Sequence, residues 1–291
     1  MPLIVGAPRS GTTLLRLILD SHSSLAIPPE TGFLAPISEN PQRFSNPESL
    51  LDFITAPETS PGWPDFHLNE DQLRASITGI QPFDLANGVR RIYEQYSARF
   101  HKPRYGDKTP GYCFYMAGIE QLLPEASFIH IIRDGRAVAA SLRPLWFSPG
   151  KDMASLARTW RLSIEAARSA SSRVQRYMEL RYEALLERPQ IVLEEICEFL
   201  QLPFETSMLE YHRRSLSRIS EHEGRKHPDG SFWLTKEQRF QQARRTTEPL
   251  NKSRMDAWRN DLSSDDVFQF ELEAASLLQG LGYPLVHNRA A

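Results

Sequence analysis

The sequence predicts an α/β fold in which a mainly parallel sheet is flanked by helices, and we expect residues 1–291 to form a single domain. Near the N-terminus, the apolar run 3–5 breaks at Gly6 and precedes apolar residues at helical spacing. Farther along, the apolar run 128–132 ends at Arg133 and precedes a second helical pattern. Buried strands that alternate with helices indicate a parallel sheet. A hydrophobic content of 41% is sufficient for a large core.

Charge and cysteine content exclude several classes of protein. The net charge is −2 with acids and bases interspersed, so the chain lacks the electrostatic signature of general nucleic-acid binding. Cys113 and Cys197 are too few and too far apart for a disulfide scaffold or a Cys-x-x-Cys metal site, and Cys197 is predicted to pack in the core. No signal peptide is recognised, and no apolar run reaches the ~20 residues of a membrane span. We therefore expect a cytoplasmic protein.

The first strand and the first helix are joined by a glycine-bounded loop that is suited to an anion. In such a loop the amides point inward, and the positive end of the helix dipole faces the same place. Gly6, Gly11 and Thr13 match the pattern G-x-x-x-x-G-K-[ST]. Thr12 replaces the lysine that reaches the β- and γ-phosphates of ATP, and Arg9 supplies a cation inside the loop. We interpret the loop as a site for a 5′ anion other than a triphosphate; the alternative is a structural turn.

A second short strand within residues 21–33 leads into a proline-stiffened loop that contains Glu30. In a parallel sheet this loop opens on the same edge as the phosphate loop, which makes Glu30 a candidate for the mouth of an active site. The alternative is a carboxylate that complements a helix N-terminus, and spacing alone does not separate the two. Residues 35–67 are rich in Pro, Ser and Asn, and we expect an irregular excursion that contributes to an acceptor pocket.

The middle of the chain is predicted to contain two helices, a strand that ends at Lys108 and a third helix. The first two helices are expected near residues 69–79 and 84–101, and the strand covers 104–108. A lysine at the end of a strand in an α/β sheet is either solvated or directed into the ligand crevice. The third helix follows Gly111 and is expected to end near Leu123.

The apolar strand 128–132 is predicted to present a phosphate-binding pair. It ends in Arg133, and Ser141 follows about two turns into the next helix. A guanidinium fork together with a hydroxyl can hold one isolated phosphate. His130, in the middle of this strand, is predicted to be a hydrogen-bonded core residue.

The C-terminal half is predicted to contain a long helix over 152–178, a last strand from 178 to 183 and a helix that begins at Pro189. The segment 215–254 is basic and irregular, and we interpret it either as a solvated loop or as a lid whose cations close over phosphate and sulfate groups. No metal site is predicted. His222 and His227 are five residues apart, whereas a zinc-protease helix needs histidines four residues apart. A closing helix is expected over 264–280.

Two of these segments resemble the nucleotide-binding motifs of sulfotransferases that use 3′-phosphoadenosine 5′-phosphosulfate (PAPS). The sequence P-R-S-G-T-T-L-L resembles their 5′-phosphosulfate loop, and R-D-G-R from Arg133, followed by Ser141, resembles their 3′-phosphate-binding segment. The resemblance covers nearly the whole chain and is to bacterial members related to tyrosylprotein sulfotransferases. It implies a P-loop nucleotide-kinase-like fold. The residues that it assigns to PAPS are Arg9, Ser10, Gly11, Thr12, Thr13, Arg133 and Ser141.

The same resemblance implies catalytic roles. Glu30, in a matching E-T segment, corresponds to the general base that takes the proton of the acceptor hydroxyl. Lys108, in a K-T-P segment, corresponds to the lysine on the leaving-group side. Tyr182, in an L-x-Y-E-x-L segment, corresponds to a tyrosine near the cofactor. Sulfuryl transfer is then expected to be direct and in line, with adenosine 3′,5′-bisphosphate (PAP) as product and no metal required.

Two departures from the family pattern affect the acceptor and the cofactor. Gly32 occupies the position of an arginine that helps tyrosylprotein sulfotransferases to bind acidic peptides, which disfavours a protein-tyrosine substrate. Ala257 occupies the position of a cofactor-binding lysine, for which Lys252 or Arg254 is a candidate substitute. We expect the acceptor to be a hydroxyl of a small molecule, glycan or lipid.

Three alternatives are a protein-tyrosine sulfotransferase, a P-loop kinase and a non-catalytic nucleotide-binding module. The kinase would share the fold but lacks its lysine at Thr12. The binding module would need neither Glu30 nor Lys108.

Overall fold

The computed structural model describes residues 1–227 and 229–287. Its strands are β1 (Pro2–Val5), β2 (Leu25–Ala26), β3 (Arg104–Tyr105), β4 (Asp107–Lys108), β5 (Ser127–Ile132), β6 (Tyr177–Arg181), β7 (Arg225–Lys226) and β8 (Phe232–Leu234). The central sheet has the order β4–β1–β5–β6, and all of its strands are parallel. β2 and β3 form a second parallel pair, and β7 and β8 form an antiparallel hairpin.

The predicted strand 104–108 is divided at Gly106 and joins two sheets. Its first part, β3, pairs with β2, and its second part, β4, pairs with β1. The amide of Gly106 donates to the carbonyl of Ala26 at 3.0 Å, and a Cβ at Gly106 would lie 2.7 Å from the carbonyl oxygen of Pro2. The segment 104–108 therefore links the two parallel pairings, because it contacts β1 through β4 and β2 through β3. This contact brings the loop after β2 to the same edge as the loop after β1.

Helices cover both faces of the central sheet, since alternate side chains of a strand point to opposite faces. Leu3 and Val5 pack on one face, and Ile4 and Ile129 pack on the other. The helices are α1 (Thr12–Asp20), α2 (Leu34–Glu39), α3 (Pro47–Thr55), α4 (Glu70–Thr78), α5 (Leu85–Ala98), α6 (Met116–Leu122), α7 (Gly135–Leu142), α8 (Met153–Ser171), α9 (Tyr182–Glu187), α10 (Pro189–Leu200), α11 (His212–Ile219), α12 (Lys236–Ala243), α13 (Trp258–Asp261) and α14 (Ser264–Gly280).

Three apolar clusters hold these layers together. The first lies between the sheet and α2 to α6, and the second lies between the sheet and α1, α9 and α10. The third joins α7, α8, α13 and α14. The predicted α/β architecture with a mainly parallel sheet is confirmed.

The prediction that residues 35–67 are irregular is wrong for part of the segment. They contain most of α2 and all of α3. The Asn46 side chain accepts from the amide of Ser49, and Pro47 occupies the first helical turn of α3, an arrangement that favours helix initiation. Leu50, Leu51, Phe53 and Ile54 are buried. A helix of nine residues among prolines and serines is too short to give a sustained period.

The long helix predicted over 152–178 ends earlier than expected. α8 stops at Ser171, seven residues before the predicted end at 178, and β6 begins at Tyr177, one residue before the predicted start of the last strand. The predicted apolar stripe of α8 is buried as expected and includes Trp160. The predicted last strand is confirmed as β6, which pairs with β5, and its observed bounds are Tyr177–Arg181 instead of 178–183.

None of the helices within residues 1–227 and 229–287 is long and apolar enough to cross a membrane.

Candidate active site

The loop between β1 and α1 forms one wall of the candidate site. Gly11 precedes α1 with φ +104°, and Arg9 has φ +69°, which is uncommon for a residue with a side chain. The Ser10 hydroxyl donates to the carbonyl of Ala7 at 2.7 Å and closes the loop. Thr12 is buried in the first turn of α1. The loop therefore wraps around the N-terminus of α1, where backbone amides and the helix dipole favour an anion.

Glu30 and Lys108 form an ion pair at the end of β4. Lys108 Nζ lies 2.5 Å from Glu30 Oε1 and donates to the hydroxyl of Thr13 at 3.2 Å. The side chain of Lys108 is 5% exposed and that of Glu30 is 53% exposed, so the pair has one buried and one accessible member. Glu30 lies before Phe33, the N-cap of α2, and its carboxylate binds Lys108, so it does not cap that helix.

Burial and ion pairing act together on this pair. Burial disfavours the charged form of Glu30, but the Lys108 ammonium outweighs burial, so the pKa of Glu30 lies below its usual value. Burial dominates at Lys108 and lowers the pKa of its ammonium, although Glu30 favours the charged form. Glu30 is therefore ionised at neutral pH and can accept a proton from a group that reaches its exposed side.

Asp107 organises the backbone around Glu30. Its fully buried carboxylate accepts hydrogen bonds from the hydroxyls of Thr31 at 2.6 Å, Thr109 at 2.9 Å and Tyr93. Burial raises the pKa of Asp107 to about 6, against the opposing effect of these hydroxyls. Because Thr31 directly follows Glu30, Asp107 fixes the segment that carries the candidate base. The motifs did not indicate Asp107; its place beside the lysine at the end of a strand was the available signal.

Arg9 joins the phosphate loop to the segment that carries Arg133 and Ser141. Arg9 Nε donates to the Ser141 hydroxyl at 3.1 Å, and Arg133 Nη1 donates to the carbonyl of Arg9 at 3.3 Å. Arg133 Nη2 donates to the carbonyl of Arg254 at 3.1 Å, which brings one candidate substitute for the lysine missing at Ala257 next to this segment. Arg133 and Ser141 thus lie beside the loop, with Arg9 bound to the Ser141 hydroxyl.

The guanidinium groups of Arg9 and Arg133 are suited to an anion. Among the described residues, neither forms an ion pair with a carboxylate, and both donate to neutral groups. Within residues 1–227 and 229–287, the buried Nε of Arg133 has no hydrogen-bond partner. Burial and the nearby charge of Arg133 lower the pKa of Arg9. Two close cations without an acidic partner are stabilised by a bound phosphate or sulfate, so the residues present fit the two charged ends of PAPS.

Tyr182 lies against both nucleotide motifs. Its ring centroid is 4.6 Å from the guanidinium carbon of Arg133. A Cβ added to Gly11 would lie 2.4 Å from Tyr182 Cδ2, so only glycine permits the loop to approach the ring this closely. The structure therefore brings Tyr182 together with the loop and with Arg133.

Arg16 is a buried residue of the site that the motifs did not indicate. It lies on α1 one turn after Thr13, is fully buried, and donates from Nε to the carbonyl of Ile27 at 2.9 Å. Its Nη1 and Nη2 have no hydrogen-bond partner within residues 1–227 and 229–287. In addition to burial, its charge lowers the pKa of Lys108 and of His222. An arginine inside the apolar run 14–19 was the available signal.

Three arginines of the basic segment bind carboxylates of the protein. Arg218 donates to Asp20 from Nε at 2.6 Å and from Nη2 at 2.9 Å. Arg225 and Arg239 share the buried carboxylate of Asp65. For these three cations the structure shows neither of the two expected arrangements, a solvated loop or a lid that closes over phosphate and sulfate groups. The acidic partners lie more than 150 residues away in the sequence and could not be recognised from local spacing.

The remaining histidine and cysteine predictions concern the core. His130 is fully buried and its Nδ1 lies 2.7 Å from the Tyr177 hydroxyl, so its predicted core role is confirmed. Cys197 is buried as predicted, and Cys113 is buried too, with its thiol pKa raised by burial to about 12. No group of three or more His, Cys, Asp and Glu side chains suited to a metal ion is found in the part of the chain that the structure describes.

A family model described as the Sulfotransferase family matches residues 3–206. The chain belongs to the sulfotransferase family. A protein-tyrosine sulfotransferase of Drosophila melanogaster is 25% identical over 97% of this chain and 52% of its own length. A putative protein-tyrosine sulfotransferase of Caenorhabditis briggsae is 24% identical over 96% of this chain and 87% of its own length. The nodulation protein NoeE of Sinorhizobium fredii is 29% identical over 51% of this chain.

The chain spans about half the length of the Drosophila sulfotransferase and a third of the length of NoeE. Two solved sulfotransferase domains share its fold. The domain from the curacin biosynthetic pathway has a TM-score of 0.65 at 22% identity, and the alignment covers 98% of both chains. The domain from the Synechococcus PCC 7002 olefin synthase has a TM-score of 0.66 at 22% identity, covering 98% of this chain and 95% of that domain. The predicted sulfotransferase fold is confirmed.

Proposed function

We propose that this sulfotransferase moves the sulfuryl group of PAPS to a hydroxyl of a small molecule, glycan or lipid. The observation that carries the proposal is the geometry around Lys108. Its ammonium lies between an accessible carboxylate, Glu30, and the hydroxyl of Thr13 in the first turn of α1, and the charge of Arg9 acts on the same carboxylate. This arrangement provides a proton acceptor, a buried cation and an anion site within one group of residues.

Arg9, Ser10, Gly11, Thr12 and Thr13 would hold the 5′-phosphosulfate, with Tyr182 behind Gly11. Arg133 and Ser141 would hold the 3′-phosphate. Arg254 is the better candidate for the missing family lysine, because its backbone already contacts Arg133. PAPS supplies a sulfuryl group that passes from the bridging phosphate oxygen to the acceptor oxygen, while PAP leaves with the electrons of the broken S–O bond.

The residues of the chain provide the acid–base and electrostatic parts of the reaction. Glu30 takes the proton of the acceptor hydroxyl on its exposed carboxylate, so that the acceptor oxygen becomes a better nucleophile as it attacks sulfur. Lys108 neutralises the negative charge that grows on the departing oxygen. Burial keeps the Lys108 ammonium in a weakly screened environment, where its charge has a larger effect than in water.

A protein tyrosine is a second candidate acceptor, favoured by the alignment of nearly the whole chain with protein-tyrosine sulfotransferases. Gly32 argues against it, because it lacks the side chain that would bind an acidic peptide. Incubation with sulfur-labelled PAPS and 4-nitrophenol, an aliphatic alcohol, a glycoside or an acidic tyrosine peptide separates the two acceptor classes. We expect sulfation of a non-peptide acceptor; exclusive sulfation of the peptide would contradict the proposal.

The nucleotide assignment has its own test. PAP should bind at least about tenfold more tightly than adenosine 5′-phosphate, since a contact to a charged group contributes ~1.5–3 kcal/mol. In titration calorimetry, Arg133→Ala should remove most of this preference. Arg143→Ala is the control, because Arg143 at the end of α7 pairs with Asp266 at 2.8 Å. Equal affinity of the wild-type protein for both nucleotides would refute the 3′-phosphate site.

A further inference from the structure

Asp65 is the centre of a buried cluster that the proposed chemistry does not use. Its carboxylate, which is fully buried, accepts from Arg225 at 3.1 and 2.9 Å and from Arg239 at 2.7 and 2.8 Å. The amide of Glu223 donates to the same carboxylate at 2.8 Å. We call Asp65, Arg225 and Arg239 the Asp65 cluster. It fastens the β7–β8 hairpin and α12 to the short helical turn Trp63–Phe66.

The Asp65 cluster lies beside the candidate base. Gly62, just before the turn that carries Asp65, packs so closely on Glu30 that an added Cβ would lie 2.6 Å from its carbonyl oxygen. The charges of Arg225 and Arg239 reach the Glu30 carboxylate and add to the effect of Lys108 in lowering its pKa. Two arginines on one carboxylate leave one positive charge uncompensated at this place. The cluster is therefore on the Glu30 side of the site and not on the side of Arg133.

The hairpin held by the cluster has a second attachment at its other strand. Trp233 in β8 packs edge-to-face on Trp146, with ring centroids 4.7 Å apart. Trp146 lies in the turn that follows α7, the helix that carries Ser141. The hairpin thus extends from the region of Glu30 to the region beyond the candidate 3′-phosphate site. The helix that follows the hairpin, α12, contacts the phosphate loop through a long hydrogen bond of 3.5 Å from Arg9 Nη2 to the carbonyl of Gln242.

We propose that Asp65 is a positioning residue that, through Arg225 and Arg239, holds the β7–β8 hairpin as the wall of the acceptor site beside Glu30. The inference rests on the proposed function, because it needs an acceptor that is bound next to Glu30. A short carboxylate with two bidentate arginines, Arg225 in β7 and Arg239 in α12, fixes the distance and the orientation of both the hairpin and the helix that follows it, which a single ion pair would not do. The arginines act on the acceptor through the hairpin and do not touch the sulfuryl group.

Asp65→Asn tests the proposal, because it should raise the KM for the acceptor much more than the KM for PAPS. We call this difference the substrate split. With PAPS and 4-nitrophenol as the probe acceptor, we expect the KM for 4-nitrophenol to rise by about tenfold or more, equivalent to about 1.4 kcal/mol. The KM for PAPS should change by less than about threefold, since the hydrogen bond found between the phosphate loop and α12 in the described residues is a long one, at 3.5 Å. Hydrogen exchange should become faster in the hairpin and in α12 but not in β5.

Arg239→Gln is the second variant, and it keeps the test informative if Asp65→Asn folds poorly. It leaves Arg225 and Asp65 as a neutral pair with bidentate contacts, so the same substrate split should appear in a weaker form. Glu271→Gln is the matched control. Glu271 is a buried carboxylate that binds buried Arg136 at 2.7 Å, in the cluster formed by α7 and α14. It should lower the thermal midpoint without a substrate split.

The outcomes separate this inference from the proposed function. If the wild-type protein transfers sulfuryl to 4-nitrophenol and Asp65→Asn raises both KM values equally, or neither, the positioning role is refuted while the proposed function stands. If Glu271→Gln produces the same split, the effect reflects lost stability and the inference also fails. A wild-type protein that sulfates none of the non-peptide acceptors would instead refute the proposed function.

Discussion

The carboxylates of Glu30 and Asp107 have pKa values shifted in opposite directions because their neighbours differ. Glu30 is half exposed and paired with Lys108, so its pKa lies below the usual value. Asp107, one residue before Lys108, is fully buried among hydroxyls, and burial raises its pKa to about 6. The accessible carboxylate is the one that is ionised over the whole neutral range. This contrast leads to two predictions at the scale of the residue.

Glu30→Gln should lower kcat by ~10²–10⁴, because glutamine keeps the size of the side chain but cannot take the acceptor proton. An aliphatic alcohol should lose more activity than 4-nitrophenol, whose proton leaves more easily. Steady-state rates with both acceptors measure this, and calorimetry should show nearly unchanged PAP binding. Glu39→Gln, an exposed change at the end of α2, is the control. Near-normal turnover by Glu30→Gln would place the base elsewhere.

Asp107→Asn should change how stability depends on pH. The folded pKa of Asp107 is raised to about 6 from 3.8, so the wild-type protein loses stability as the pH rises through this window. A shift of about two units corresponds to about 3 kcal/mol, and this loss should be absent from the variant. Urea unfolding at pH 4.5 and 7.5 compares the two proteins. If the free energies of unfolding of the wild-type protein and Asp107→Asn differ by the same amount at pH 4.5 and pH 7.5, the pKa of Asp107 is not raised by folding.

Elements that follow a strong local signal were predicted from the sequence, and elements set by distant contacts were not. The phosphate loop, α1 and α5 follow from glycines and from apolar periodicity, and the structure has them. The end of α8 at Ser171 was not predicted, because residues 172–176 contain no glycine or proline that would mark the end of a helix. Asp65 was not recognised, because the arginines that it binds lie more than 150 residues away in the sequence.

The phosphate loop gives a prediction at the scale of the element. Gly11→Ala should weaken PAP binding by more than tenfold, because φ +104° is strained for alanine and the new Cβ would overlap the ring of Tyr182. The free energy of unfolding should also fall by ~1–3 kcal/mol. Gly280→Ala is the control, since a Cβ there meets no atom within 4 Å. Calorimetry and urea unfolding measure both effects; unchanged PAP affinity would contradict the role of the loop.

At the scale of the whole molecule, the C-terminal third is attached to the rest by buried ion pairs. The family model ends at residue 206, and Arg218, Arg225 and Arg239 lie beyond it. Each binds a carboxylate of the matched region, either Asp20 or Asp65. Such contacts are specific in geometry even where their net contribution to stability is small, because bidentate pairing permits one orientation. They therefore define how this part of the chain docks.

Asp20→Asn should lower the free energy of unfolding at pH 7 by about 3 kcal/mol, because it leaves the buried Arg218 without its main partner. Burial opposes ionisation of Asp20, but Arg218 outweighs it and lowers the pKa. The wild-type advantage is therefore present above pH 3.8 and should shrink as the pH falls further. Urea unfolding at pH 7 and pH 3 measures this. Asp256→Asn, which removes an exposed pair with Arg259, should cost at most about 1 kcal/mol.

The contact of Gly11 and Arg133 with the ring of Tyr182 has a consequence for nucleotide size. An aromatic ring is rigid and cannot be compressed, so it acts as a spacer between the loop and the strand end that carries Arg133. The backbone of the loop at Gly11 therefore cannot move closer to Arg133 unless the ring moves. In the proposed nucleotide site, Tyr182 thus sets a lower limit on the separation of the 5′-phosphosulfate and 3′-phosphate positions, and a ligand with a shorter separation would have to displace the ring.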